Sequence, residues 1–521
     1  MKGTQLCALL ASALLIVASL ALAARAAAEE VKPAAPTAEK AAPAAESPPA
    51  KPPEKAPDAA AAKPDTTAET PAAKPADEVE KPKDDIEEFI QKSKNPCPWF
   101  KWGADLRIRD EWLNDTLTFD DDAKGHDRNR LRYRPRWWGT VMPTDWLEFN
   151  GRICWEGRYQ SRPTSLVDES WNDALWDQFN FRLKDVGKTG LSATIGRQDI
   201  ILGDGWLVLD GTPLDGSRTL YFDAYRVTYE ARPIQTTFDA IYIDNKAFPE
   251  DAWIDPLNSV GRPVIEQNEH GFIFWTANKS LPKTEIDGYY IYKDNQKVLD
   301  EATAPYLATL KKGDDGYINT FGARVAGEVF DHWGYRAEGA HEWGERNERT
   351  MSAFGFNSQL AYMFKDPMKN ELRMQYEFLS GDDPKSRTNE AFDPLWGRWP
   401  QWSELWADHD AVEARPGENT NLHRLAWGWT VRPTAKMEFL LDYHLLWADE
   451  DTLGATKAGQ KAGFSPDDKF RGQLLTALLK YKFTAHLSGH LLGEFFFPGD
   501  FYAGPMGDTA EFLRAELVFS Y

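Results

Sequence analysis

The chain has 521 residues, of which 42% are hydrophobic, 13% aromatic and 27% charged, and its formal net charge is −21 at pH 7. Beyond the N-terminus it holds no apolar run of the eighteen or more residues that a helical span needs, so a helical membrane protein is excluded. The 21 Trp, 18 Tyr and 28 Phe are too many for a disordered chain, and the acidity argues against nucleic acid as a partner. A high aromatic load without long apolar runs suits a β-protein that alternates apolar and polar residues.

In chain order, residues 1–28 read as a secretory signal peptide. Lys2 supplies the positive end, Leu9 to Leu22 the apolar stretch, and Ala21–Ala23 and Ala24–Ala26 offer cleavage sites. Cys7 leaves with it. Cys97 and Cys154 remain, too few for a disulfide framework and not expected to pair. Residues 29–95 form an Ala/Pro/Lys/Glu linker that carries 12 of the 33 prolines. Such a segment cannot bury enough apolar area to offset its chain entropy, and its prolines keep it extended. It is expected to be a disordered spacer, with a short helix over Asp84–Lys92. The sharper reading is a tether towards periplasmic export components or the cell wall.

From residue 96 to 521 one pattern repeats. Trp102, Ala104, Leu106 and Ile108 share one parity; Asp105, Arg107, Arg109 and Glu111 share the other. Arg128, Arg130, Arg132, Arg134 and Arg136 alternate with Leu131, Tyr133, Pro135 and Trp137. Leu147, Phe149, Ile153, Trp155 and Tyr159 alternate with Glu148, Asn150, Arg152, Glu156 and Arg158. The alternation returns near Phe321, Leu372 and Met437. Period two gives each strand one apolar and one charged face. The spacing predicts eighteen strands, beginning near residues 100, 128, 146, 175, 191, 220, 236, 270, 284, 317, 335, 352, 370, 421, 437, 470, 486 and 510. Parity is ambiguous in the sixth to eighth. Short turns such as Pro143–Asp145, Arg232–Gln235 and Pro433–Lys436 follow alternate strands, and longer loops such as 114–127, 244–269, 380–420 and 448–469 fill most other gaps. The last strand alternates through Leu513, Ala515, Leu517, Phe519 and Tyr521, an ending of the kind that barrel insertion machinery reads. The expected fold is all-β: a transmembrane antiparallel up-and-down barrel in the outer membrane of a Gram-negative-type cell, its outward face against lipid.

Residues 196–226 resemble the alginate-export family of outer-membrane barrels. The resemblance rests on Gly196-Arg197-Gln198, Gly203-Asp204-Gly205, Arg218, Asp223-Ala224 and Arg226, with Ser380-Gly381-Asp382 further on, and it extends over roughly residues 99–521. It implies eighteen strands and an arginine-rich conduit for an anionic polysaccharide.

The residues alone lead to similar chemistry. Strands one to three are neighbours, and the last strand closes beside the first. Their inward faces therefore share Arg107, Arg109, Arg128, Arg130, Arg132, Arg134, Arg136, Arg152, Arg158 and Arg514, and parity adds Arg226 and Arg324 elsewhere in the lumen. Guanidinium stays charged and grips carboxylates in a bidentate way, so such a seam draws anions and repels cations. Asp105, Glu111, Glu148, Glu156 and Glu516 could equally bind these arginines into a structural network. The expected function is passive conduction of an anionic solute, an exported acidic polysaccharide first and uptake of small acidic solutes or oligosaccharides as the alternative. A barrel enzyme or a structural anchor is the third class, and no nucleophile–base arrangement supports the enzyme. No cofactor and no metal is expected. His486 and His490 stand about 13 Å apart on a strand. Asp204, Asp210 and Asp215 lie in a Gly-rich loop, where turn chemistry competes with calcium binding. The stretch Trp396-Gly397-Arg398-Trp399-Pro400-Gln401-Trp402 could stack on sugar rings or fold as a lid.

Overall fold

A strand with one charged and one aromatic face satisfies both only if the sheet closes on its charged side. Its aromatic side is then left to lipid, and no edge remains unpaired. The computed structural model describes residues 85–521 apart from 165–166, 210–219, 259–260, 262, 299–312, 399, 414–418, 452–463 and 466. The expected signal peptide, nearly all of the linker, Asp210, Asp215, Arg218 and Trp399 lie outside the described residues.

Helix α1 (Asp85–Lys94) precedes the strands. These are β1 (Phe100–Asn114), β2 (Arg128–Thr144), β3 (Leu147–Cys154), β4 (Gly157–Arg162), β5 (Asp168–Trp171), β6 (Leu175–Leu183), β7 (Leu191–Gln198), β8 (Phe222–Ala231), β9 (Thr236–Asn245) and β10 (Gln267–Asn278). There follow β11 (Thr284–Lys297), β12 (Gly316–Val329), β13 (Trp333–Arg346), β14 (Arg349–Met363), β15 (Glu371–Leu379), helix α2 (Glu404–Glu413), β16 (Leu422–Thr434), β17 (Met437–Trp447), β18 (Phe470–Lys482), β19 (Leu487–Pro498) and β20 (Ala510–Ser520). Every neighbour is antiparallel, and β20 pairs with β1 to close the barrel. Segments β3 and β4 form one interrupted strand and β5 and β6 another, so the twenty segments make an eighteen-stranded wall. The first interruption has a local cause. It lies at Trp155, opposite Pro135 of β2; the Trp155 N–H donates to the Pro135 carbonyl, but proline has no N–H to return.

The eighteen expected strands are all present, and their starts agree to within three residues, except that the fourth begins earlier, at β5. Short turns gather at one end and long loops at the other. The outward side chains stand open for lipid: Trp137, Phe149, Phe179, Phe321, Leu372 and Leu491 are all more than a third exposed. Trp146, Phe330, Phe364 and Phe483 mark the rim at the short turns, and Tyr317, Trp343 and Phe497 the rim at the loops, the two aromatic belts of an outer-membrane barrel.

The ambiguous parity of the middle strands has a physical reason. On β8 to β11 the inward residues Ala224, Ile241, Ile243, Ile273, Trp275 and Ile291 are apolar and buried. They pack against chain that folds back into the lumen: Ile200, Leu202, Leu207 and Val208 after β7, and Leu395 and Trp396 after β15. Val208 and Trp396 form a β-bridge between these two insertions. A wall that is apolar on both faces has no period-two signal.

The orientation of β19 can be tested directly. Replacing outward Leu491 by Arg should cost about 2–4 kcal/mol if it lies near the bilayer midplane, whereas His490→Arg, inward and beside Glu516, should cost little. Folding free energies in lipid or detergent, measured by urea titration, will separate the two.

Candidate functional site

Register places the expected arginines on one wall. Across β1 and β2, Arg107 faces Arg134, Arg109 faces Arg132 and Glu111 faces Arg130; Arg132 also faces Arg158 on β4. On the other side of β1, Arg109 faces Glu516 and Glu111 faces Arg514. Like charges directly opposed in a sheet repel, so this wall requires carboxylates close by. Glu111, fully buried, pairs with Arg130 at 3.4 Å, Arg132 at 3.0 Å and Arg514 at 3.0 Å. Arg107 lies 3.7 Å from Glu156 and 4.0 Å from Glu516, and Arg109 is bonded to Glu516. Asp105 receives Arg136 at 2.5 Å. Arg152 bridges Asp177 at 2.9 Å and Asp199 at 3.1 Å. The remaining expected acid, Glu148, pairs with Lys184 instead.

Helix α2 supplies what the strands lack. Ser403 caps it by accepting the Trp406 N–H at 2.9 Å, and Glu494 of β19 accepts the Leu405 N–H at 2.7 Å. One turn apart on the helix, Glu404 meets Arg514 at 3.0 Å and Asp408 meets Arg128. Burial pushes both carboxyls up. The guanidinium charges outweigh it, Arg514 for Glu404 and Arg128 with Arg130 for Asp408, and hold both below the ordinary carboxylate range. The sequence reasoning passed over Glu404 and Asp408, although Ser403 followed by an i, i+4 acidic pair is a legible helix start.

The other two expected arginines stand apart from this ladder. Arg226 on β8 makes a bidentate pair with Asp239 at 2.9 and 3.0 Å. Arg324 on β12 binds Asp204, Asp287 and Glu285. The family-like residues Arg197 and Asp223 form a fully buried bidentate pair at 2.8 and 2.9 Å, with the Tyr221 ring 3.6 Å beneath the guanidinium. Gly196 has φ +116°, and a Cβ there would lie 2.4 Å from the Phe179 carbonyl oxygen. These groups bolt down the root of the first insertion.

Trp396 and Trp402 of the tryptophan-rich stretch fold inward rather than presenting free rings. Trp396 donates to Glu269 at 3.0 Å and Trp402 to Glu377 at 3.1 Å, while Arg424 lies over the Trp402 ring. His486 bonds the Ser520 carbonyl and His490 pairs with Glu516, so the two imidazoles serve different partners. Cys97 and Cys154 are not joined in a disulfide.

The model of the alginate export family matches residues 99–516. Among solved structures, the outer membrane protein opdK of Pseudomonas aeruginosa superposes with a TM-score of 0.49 at 8% identity, covering 81% of this chain and 98% of that one. OpdQ of the same organism gives 0.49 at 11% identity, with 81% and 98% covered, and OccK5 (OpdH) gives 0.48 at 9%, with 80% and 97% covered. No curated protein matches the chain.

The lowered pKa of Glu404 and of Asp408 sets a pH window for their part in the docking of α2. Stabilisation from such groups is complete above the unfolded-state value of about 4 and is lost as pH falls through the lower folded value. The hold of Glu404 on Arg514 and of Asp408 on Arg128 should therefore last from neutral pH down to about 4 and fail only in stronger acid. Asp408→Asn should produce the acid behaviour at neutral pH. Single-channel recording across pH checks both.

Proposed function

The chain belongs to the alginate export family of outer-membrane β-barrels, and from that premise we propose that its channel conducts an acidic polysaccharide out of the cell along the arginine ladder. The observation that carries this reading is the opposition of arginine to arginine across β1, β2 and β4, a cationic wall interleaved with Glu111, Glu156 and Glu516. In a low-dielectric tube such a wall lowers the energy of an anion and raises that of a cation. The carboxylates along it keep each contact weak enough for a charged polymer to advance from one guanidinium to the next. Conduction and structural pairing thus use the same groups. Segment 1–28 would direct export, and the Ala/Pro-rich segment that follows would act as a periplasmic spacer.

One observation favours a second reading, uptake of small acidic solutes or oligosaccharides. The insertions after β7 and β15 narrow the lumen, which suits a short solute better than a wide chain. Deletion strains discriminate. Loss of secreted polymer supports export, and unchanged polymer with impaired growth on small acids supports uptake.

Wild-type channels should be anion-selective in planar bilayers. The preference should weaken as salt rises from 0.1 M to 1 M, where the Debye length falls from about 10 to about 3 Å. Replacing Arg130, Arg132 and Arg134 together by Ser should reduce the reversal potential while leaving the barrel folded, because Glu111 retains Arg514. A cation-preferring wild type, or an unaltered reversal potential in the triple variant, contradicts the ladder's role.

A further inference from the structure

Away from the ladder, on the wall formed by β11, β12 and β13, two arginines meet a carboxylate that does not belong to the wall. Asp204 sits at the tip of the insertion after β7, between Gly203 at φ +57° and Gly205 at φ +78°. The tip lies flat on the strands: a Cβ on Gly203 would approach Arg324 Cδ to 3.1 Å and the Trp275 ring to 3.3 Å. Asp204 Oδ2 accepts from Arg324 Nε at 2.8 Å and lies 3.6 Å from Arg336 Nη1. Arg324 also holds Asp287 at 2.8 Å and Glu285 at 3.1 Å, both fixed on β11. Arg336 is less well served. Its Nε is buried and finds no hydrogen-bond partner among the described residues. The Asp204 side chain keeps about a third of its surface open (35%), so solute can reach it from the lumen.

We propose that Arg324 and Arg336 form a second carboxylate-binding site, which Asp204 occupies until a carboxylate of the transported solute displaces it and frees the loop tip. The proposal rests on the anion-conduction reading and adds to it a ligand-exchange step. The chemistry is symmetrical, since a uronate carboxylate and an aspartate side chain offer guanidinium the same two oxygens. The tether gives Asp204 a high effective concentration, so a single carboxylate competes poorly. A chain of uronates presents several at once and competes well. The incoming group also gains something that Asp204 leaves unused, the idle Nε–H of Arg336. Burial raises the Asp204 carboxyl, yet Arg324 and Arg336 together hold it below its ordinary value, so it stays a charged ligand throughout the neutral range. Other ties near the tip, among them Gln401 to the Gly205 carbonyl at 2.6 Å, Trp206 to Glu377 at 3.2 Å and Trp396 to the Leu207 carbonyl at 3.0 Å, are neutral-donor bonds that a solute carboxylate does not replace. They hinge the loop while its tip lifts.

The test uses the full chain in planar bilayers, with a short linear oligouronate as probe and a neutral oligosaccharide of equal length as control. The oligouronate should increase the mean current of the wild type, and the neutral sugar should not. Asp204→Asn should show the raised current without any probe and lose the response to oligouronate. Glu438→Gln, which removes an equal charge from β17 where Glu438 pairs with Arg432 and Lys480 and leaves the Arg324–Arg336 site untouched, should behave as wild type. Asp204→Asn with wild-type current, conducting or silent, overturns the proposal. So does equal opening by the neutral sugar, or an equal shift in both variants. The reversal potential of the same channels separates the two ideas. An anion-selective wild type with an unresponsive Asp204→Asn rejects the exchange site alone, whereas a cation-selective wild type rejects the conduction reading beneath it.

Discussion

The repulsion between arginines that face one another across β1, β2 and β4 is the constraint from which much of this barrel's lumen follows. Paired residues in an antiparallel sheet are about 5 Å apart, close enough for like charges to oppose pairing. Three strands carry arginine at facing inward positions, so the fold must bring carboxylates to them from elsewhere. Glu516 comes from the closing strand, Glu156 from just past the break at Trp155, and Glu404 and Asp408 from a helix inserted through the loop after β15. A barrel interior that needed only to be polar would be simpler with serine and asparagine. The charged solution places fixed positive groups along the wall, with Arg107, Arg109, Arg132, Arg134 and Arg514 buried among their partners and Arg130, Arg136 and Arg152 partly open.

Two kinds of ion pair can be separated by burial. Arg197 with Asp223 is sealed, bidentate and stacked on Tyr221, and losing one partner of such a pair costs about 3–5 kcal/mol. It fixes the point where the chain leaves the wall and enters the lumen. Arg130, Arg136 and Arg152 keep between 13% and 18% of their side chains open, which leaves them available to solute while they remain paired. Residues that carry the family resemblance fall in the first class, at Gly196-Arg197-Gln198 and Asp223-Ala224.

Much of the wall was legible in the sequence because a barrel strand obeys one rule, the parity of its side chains. Arg128 to Arg136 could face only one way without placing five guanidiniums in lipid, and they do face the lumen. The rule gave less on β8 to β10, where Ile241, Ile243, Ile273 and Trp275 are buried under inserted chain and both faces are apolar. It gave nothing on the insertions, whose contacts are long-range: Trp396 reaches Glu269, Trp402 reaches Glu377, and Asp408 reaches Arg128. Parity also put Arg324 in the lumen correctly but could not place it on a different wall from the ladder, facing a loop carboxylate.

The central claim is that positive potential persists along β2 after its carboxylates are counted. Chemical modification of Arg136→Cys, whose side-chain position on β2 is partly open (18%), in a chain with Cys97 and Cys154 replaced by Ser, reads that potential without relying on current. A negatively charged methanethiosulfonate reagent should react faster than a positively charged one of similar size, with the difference shrinking as salt is added. Faster reaction with the cationic reagent, or equal rates for the two at low salt, would contradict it.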